Sequence, residues 1–222
     1  MPSDAEPLTR QSLAAAARLL ARRDEDLAGI LSAHGPPPLW RRPGGYRTLF
    51  RIILEQQVSL ASARSLGQRV EAILGGVTPA RMIEVGEPGL RSLGLTRQKS
   101  AYCVDAARHV LDGRLVFRRL ARQDDAQARD MLMRIKGIGP WSADIYLLMA
   151  LGRRDVWPAG DLALVETLRR VKRLRGALPA DRLERIAAAW RPYRAVAARM
   201  LWQHYLAGGT RGITTEGDAD DD

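Results

Sequence analysis

The chain has 222 residues, 46% hydrophobic and 27% charged, enough for a real core in one large domain or two small ones. Lysine and arginine number 35 against 25 acidic residues, a formal net charge of +10, which favours a polyanionic partner but fits a soluble protein with a basic surface equally well. The single cysteine, Cys103, excludes an internal disulfide and a four-cysteine iron–sulfur cluster.

The N-terminal run MPSDAEPLTR has no apolar signal core, and the most hydrophobic run, 145–151, is far too short to span a bilayer. A reducing, cytoplasmic location with no membrane partner is the expectation. Lys99, Lys136 and Lys172 are the only lysines. The other basic residues are arginines, which fork onto phosphate oxygens better than lysine does.

Hydrophobic periodicity predicts an all-α chain, with no alternating strand pattern of useful length. A first helix is expected over 11–31, stopped by His34-Gly35-Pro36-Pro37-Pro38 and a linker over 40–45. A second helical pattern covers 46–74, broken near Val58-Ser59, with Ser59 placed to cap its second half. Gly75-Gly76, Pro79 and Glu87-Pro88-Gly89 punctuate short helices. Thr96 suits the N-cap of a helix over 97–111. Further helices are expected at 124–135, 140–151, 161–174, 180–189 and 193–207. The small, polar, acidic tail over 211–222 should be disordered.

Two stretches carry chemistry. In Ile135-Lys136-Gly137-Ile138-Gly139-Pro140-Trp141 a helix ends, two glycines bracket an apolar residue, and a new helix opens. Gly137 can supply the left-handed angle that ends the first helix. Pro140 suits the opening turn of the second. Ile138 should point back and tie the two together, leaving N–H groups outward as a phosphate site. A plain tight turn between packed helices fits the same residues. The second stretch is Trp157-Pro158-Ala159-Gly160-Asp161. Asp161 sits where an N-cap should, and capping alone accounts for most such aspartates. It follows the glycine turn by one helix and a loop, so the two can line one cleft.

This glycine turn, followed by a Gly/Pro-rich loop and an aspartate, resembles the helix-hairpin-helix DNA glycosylases, and among them the 3-methyladenine DNA glycosylase II type. The segments Phe50-Arg51-Ile52-Ile53-Leu54-Glu55-Gln56-Gln57-Val58-Ser59, Leu93-Gly94-Leu95-Thr96-Arg97-Gln98-Lys99 and Trp190-Arg191-Pro192-Tyr193-Arg194 resemble further family segments. Together they cover about 46–205 in order.

The resemblance implies two helical subdomains with an active-site cleft between them. One is formed by 1–45 packing with 153–210. The other is a barrel-like unit over 46–152 that includes the hairpin at 132–151. It makes Asp161 the catalytic carboxylate, Trp141 and Trp202 walls of the base pocket, and Gln57 the wedge that fills the gap in the base stack. Lys136, Gly137, Ile138 and Gly139 would hold a DNA phosphate. The backbone carbonyls of Met133, Ile135 and Ile138 would hold a monovalent cation, sodium or potassium. For Trp141 and Trp202 core packing is the plain alternative; for Gln57, a simple loop residue.

Two departures stand out. The bacterial family enzyme begins with an extra antiparallel β domain, for which this chain has no room. A further pocket aromatic of that enzyme is matched by Ile145, which implies a less aromatic pocket. Bifunctional members use a lysine two residues past the second hairpin glycine, and that position is Trp141. The expected function is therefore hydrolysis of an alkylated purine from double-stranded DNA by a monomer, leaving an abasic site without strand cleavage. Two other readings stand beside it: a non-catalytic helix-hairpin-helix DNA-binding module, and a glycosylase for oxidised or mispaired bases.

Overall fold

The computed structural model describes residues 6–176 and 178–208. Among them are twelve helices and no strand: α1 Arg10–Ala21, α2 Glu25–His34, α3 Tyr46–Glu55, α4 Leu60–Leu74, α5 Pro79–Ser92, α6 Arg97–Leu111, α7 Phe117–Leu120, α8 Asp125–Met133, α9 Pro140–Met149, α10 Leu162–Val171, α11 Ala180–Ala188 and α12 Arg194–Ala207. None is long and apolar enough to cross a membrane. The acidic tail over 211–222 lies outside the described residues.

Local signals place most boundaries. Ser59 caps α4 by accepting from Ser62 N–H, and Thr96 caps α6 by accepting from Lys99 N–H. The helix expected over 11–31 is instead two. Asp24 accepts from the N–H groups of Asp26 and Leu27 and starts α2 afresh, an N-cap that the continuous apolar spacing hid. Proline and glycine bend α5, where Gly86 sits at φ 64.

The helices bury two apolar clusters. The first draws on α3 to α9 and includes Phe50, Ile52, Ile53, Met82, Leu132, Ile138 and Tyr146. The second draws on α1, α2 and α10 to α12 and includes Leu13, Leu20, Leu27, Leu168, Trp190 and Met200. Each fully buried large side chain contributes about 1.5–3 kcal/mol. Helix α9 is shared: Tyr146 and Leu147 belong to the first cluster and Leu148 to the second. Every residue from Ser142 to Leu148 is buried, which is why its sequence is apolar nearly all round.

Arg199 fastens this junction. It is fully buried and donates to the carbonyls of Leu39 at 3.0 Å, Ala195 at 3.2 Å and Leu148 at 2.8 Å. Burial pushes its guanidinium down to about 9. The incoming linker, α9 and α12 are thereby held at one point, and Trp202, one turn on, packs against both clusters.

Candidate active site and hairpin

Asp161 is set by the loop before it. Trp157 is buried and packs at a tilt on Trp190, ring centres 5.6 Å apart. Gly160 turns the chain at φ 82, and Asp161 N–H donates to Pro158 O at 3.2 Å. Asp161 then caps α10, its Oδ1 accepting from Leu164 N–H at 3.0 Å. Two indoles complete the arrangement. Trp141 Nε1–H donates to Oδ2 at 3.0 Å, and Trp202 Nε1–H donates to Oδ1 at 3.1 Å. A carboxylate accepts at about four lone-pair positions. Three are filled by rigid donors from α9, α10 and α12, which leaves one position, on Oδ2, for an incoming group. The next residue, Leu162, is 84% exposed.

The structure thus brings Asp161, Trp141 and Trp202 together. Ile145 is 4% exposed and belongs to the first core.

In the hairpin, Gly137 has φ 82, and a Cβ there would lie 2.2 Å from the Tyr102 ring. Only glycine fits. Ile138 is buried and its N–H donates to Ile135 O at 3.1 Å. Gly139 is the N-cap of α9 and Pro140 its first residue. Lys136 is exposed, but its backbone N–H is not offered to a phosphate. It donates to Asp105 Oδ2 at 2.9 Å, a long-range contact that local sequence does not announce. An open hollow of about 570 Å³ lies here, lined by residues 133–139 with Asp105, His109 and Arg114. Arg114 donates to His109 Nε2 at 3.1 Å, so His109 Nδ1 carries the hydrogen and donates to Asp105 O at 3.0 Å.

The loop between α3 and α4 carries Gln57, exposed and at φ 57, with Val58 47% and Leu60 50% exposed beside it. Its neighbour Gln56 turns the other way. Gln56 Nε2 donates to Gly137 O at 2.8 Å and to Ser142 Oγ at 2.9 Å. Sequence reading missed Gln56; the one available signal is a pair of adjacent glutamines, of which an extended backbone sends one inward.

Two of the three lysines are committed elsewhere. Lys99 Nζ donates to Leu54 O at 2.6 Å. Lys172 Nζ donates to Asp24 at 2.6 and 2.7 Å and pairs with Asp26 at 2.8 Å.

Helical hairpin, capped aspartate and two-cluster helical fold together define a class, and comparison with known proteins agrees. Residues 50–192 match the model of the HhH-GPD superfamily base excision DNA repair proteins. The chain belongs to that family. The protein YfjP of Bacillus subtilis (strain 168) is 28% identical over 185 residues, covering 80% of this chain; the chain spans 64% of that relative's length. The DNA-3-methyladenine glycosylase 2 of Escherichia coli (strain K12) is 28% identical over 214 residues, 89% of this chain and 73% of the relative. Among solved structures, a DNA-3-methyladenine glycosidase from Bacillus halodurans superposes with a TM-score of 0.74 at 29% identity, covering 86% of this chain and 88% of that one.

Proposed function

We propose that this chain is a monofunctional DNA base-excision glycosylase that takes an alkylated purine of the 3-methyladenine kind out of the duplex and hydrolyses its N-glycosidic bond. The observation that carries the reading is the Asp161 carboxylate, fixed by the Trp141 and Trp202 indoles at the N-terminus of α10. The names of the E. coli and B. halodurans relatives support the substrate class.

A base inside a duplex is out of reach, so the nucleotide must be extruded, at a cost of a few kcal/mol. The hairpin supports holding the backbone meanwhile: the Gly137 and Gly139 N–H groups stand at the opening of α9, next to Lys136 and Arg134 on the hollow. A monovalent cation, sodium or potassium, would sit at the same turn. The carbonyls of Met133, Ile135 and Ile138 would carry the ion against a phosphate oxygen, with Ile135 O also accepting from Ile138 N–H. Gln57, projecting from its loop, would fill the gap in the stack.

An alkylated purine that bears a positive charge is a good leaving group. The N-glycosidic bond breaks, the base keeps the electron pair and departs neutral, and positive charge develops on the sugar. Asp161 stabilises that charge, and its remaining acceptor position on Oδ2 orients the water whose oxygen bonds to C1′ and accepts the proton that this water gives up. The indole faces of Trp141 and Trp202 can stack on the cationic base, worth ~0.5–2 kcal/mol, while their N–H edges hold the carboxylate. The deciding experiment is a panel of duplexes, each with one defined lesion, assayed for abasic sites. Excision of alkylated purines is expected; excision confined to oxidised or mispaired bases, or none at all, defeats the reading.

A further inference from the structure

The Gln57 loop and the glycine turn are the two elements read above as contacting a duplex, and they are far apart in the chain, Gln56 lying 81 positions before Gly137. One side chain joins them. The amide nitrogen of Gln56 has two hydrogens. One goes to Gly137 O at 2.8 Å and the other to Ser142 Oγ at 2.9 Å. A backbone carbonyl only accepts, so Gly137 fixes which way the amide points. Gly137 itself is backed by the Tyr102 ring, so this acceptor cannot drift. Ser142 is the residue after Trp141 on α9, and Trp141 holds Asp161. On the far side of the loop, Ser59 caps α4. Between these two anchors Gln57 is held at φ 57, a left-handed conformation that a non-glycine residue keeps only where its surroundings impose it.

We propose that Gln56 is a positioning residue that locks the loop bearing Gln57 to the hairpin, so that backbone grip and filling of the base stack occur in one fixed register. The inference rests on the reading of Gln57 and the hairpin given above. A purely local turn residue would need neither of its two contacts, one 81 and the other 86 positions away in the chain.

The test uses the whole protein and two duplexes, one undamaged and one carrying a tetrahydrofuran abasic analogue beside a fluorescent 2-aminopurine. Wild type, Gln56→Leu, Gln57→Ala and the double variant are titrated. Wild type should prefer the abasic duplex and change the fluorescence. Gln56→Leu should cut that preference about tenfold and remove most of the signal, with undamaged-duplex affinity nearly kept; in the Gln57→Ala background the same change should cost about twofold or less. Ser142→Ala, which removes one of the two acceptors, should give a partial loss and stands in if Gln56→Leu does not fold. A Gln56→Leu protein with wild-type preference and signal overturns the inference. So does a loss as large with Gln57 absent as with it present. A wild-type protein indifferent to the abasic site defeats the functional reading itself, and the inference with it.

Discussion

Trp202 and Asp161 lie 41 positions apart, and the indole Nε1–H of the one donates to Oδ1 of the other at 3.1 Å. An aromatic expected as a stacking surface is therefore also a fixed donor. Its ring packs against both apolar clusters, so the carboxylate is referenced to the junction of the two rather than to its own loop alone.

Trp202→Phe separates the two roles. It keeps an aromatic face and removes the N–H. The expected result is a fall in kcat of about tenfold with KM changed little, since the lost bond orients the carboxylate and does not touch the base. Single-turnover kinetics on a lesion duplex would show it. A rise in KM at unchanged kcat would assign Trp202 to base binding only.

Asp161→Asn removes the charge and nearly keeps the shape. Its amide oxygen can still accept from Leu164 and Trp202, but its NH2 must face the Trp141 N–H, donor against donor. Excision should fall by ~10³-fold or more, with a stability loss of about 1–3 kcal/mol. Duplex affinity, measured by fluorescence anisotropy, should survive. Near-normal excision would move the chemistry elsewhere.

Legibility in the sequence followed the range of the interactions. Ser59, Thr96, Gly137 and the helix-capping place of Asp161 are readable because a cap or a left-handed turn is decided by the residue and its next few neighbours. Gln56 on Gly137, Asp105 on Lys136 N–H and the two indole bonds to Asp161 were not readable. Each joins positions that only the finished packing brings together, and no local pattern says which edge of an indole will face a carboxylate. The burial of Ile145 was likewise not readable. The resemblance matched it to a pocket aromatic one turn past Trp141, and only the finished packing shows it among the buried residues of the first cluster.

The two hairpin glycines should behave differently. Gly137→Ala meets the Tyr102 ring and a positive φ, and should destabilise the fold by roughly 2–4 kcal/mol, read as a lower denaturant midpoint. A Cβ at Gly139 meets nothing within 4 Å, and its φ is −91. Gly139→Ala should fold normally and bind all duplexes several-fold more weakly regardless of sequence, because a phosphate contact carries no base information. Unchanged affinity in Gly139→Ala would make the turn purely structural.

Asp144 gives a pH signature. It is 2% exposed and accepts from Arg129 Nε at 2.7 Å. Burial raises it from 3.8 to about 6, against the pull of Arg129. The folded state therefore favours the neutral acid. This group's contribution to stability is greatest below its unfolded value and is lost as pH rises toward about 6. Asp144→Asn is neutral throughout. Relative to wild type it should gain about 1–3 kcal/mol between pH ~4 and ~6, then level off. Urea midpoints across that range test it; a flat difference would mean that Arg129 keeps Asp144 ionised at all these pH values.

The last prediction concerns the reaction type. An imine with the sugar needs an amine at C1′. The residue after Pro140 is Trp141, whose indole nitrogen is bound to Asp161 and cannot form one. Lys99 lies on the Leu54 carbonyl and Lys172 between Asp24 and Asp26. Lys136 stands at the hairpin, its backbone tied to Asp105. On the proposed reading, water held by Asp161 is then the nucleophile that reaches the sugar. Borohydride present during turnover should trap no covalent protein–DNA adduct, and product strands should break only after alkali. An adduct that forms readily and vanishes in Lys99→Ala, Lys136→Ala or Lys172→Ala would overturn the monofunctional reading and leave base excision standing.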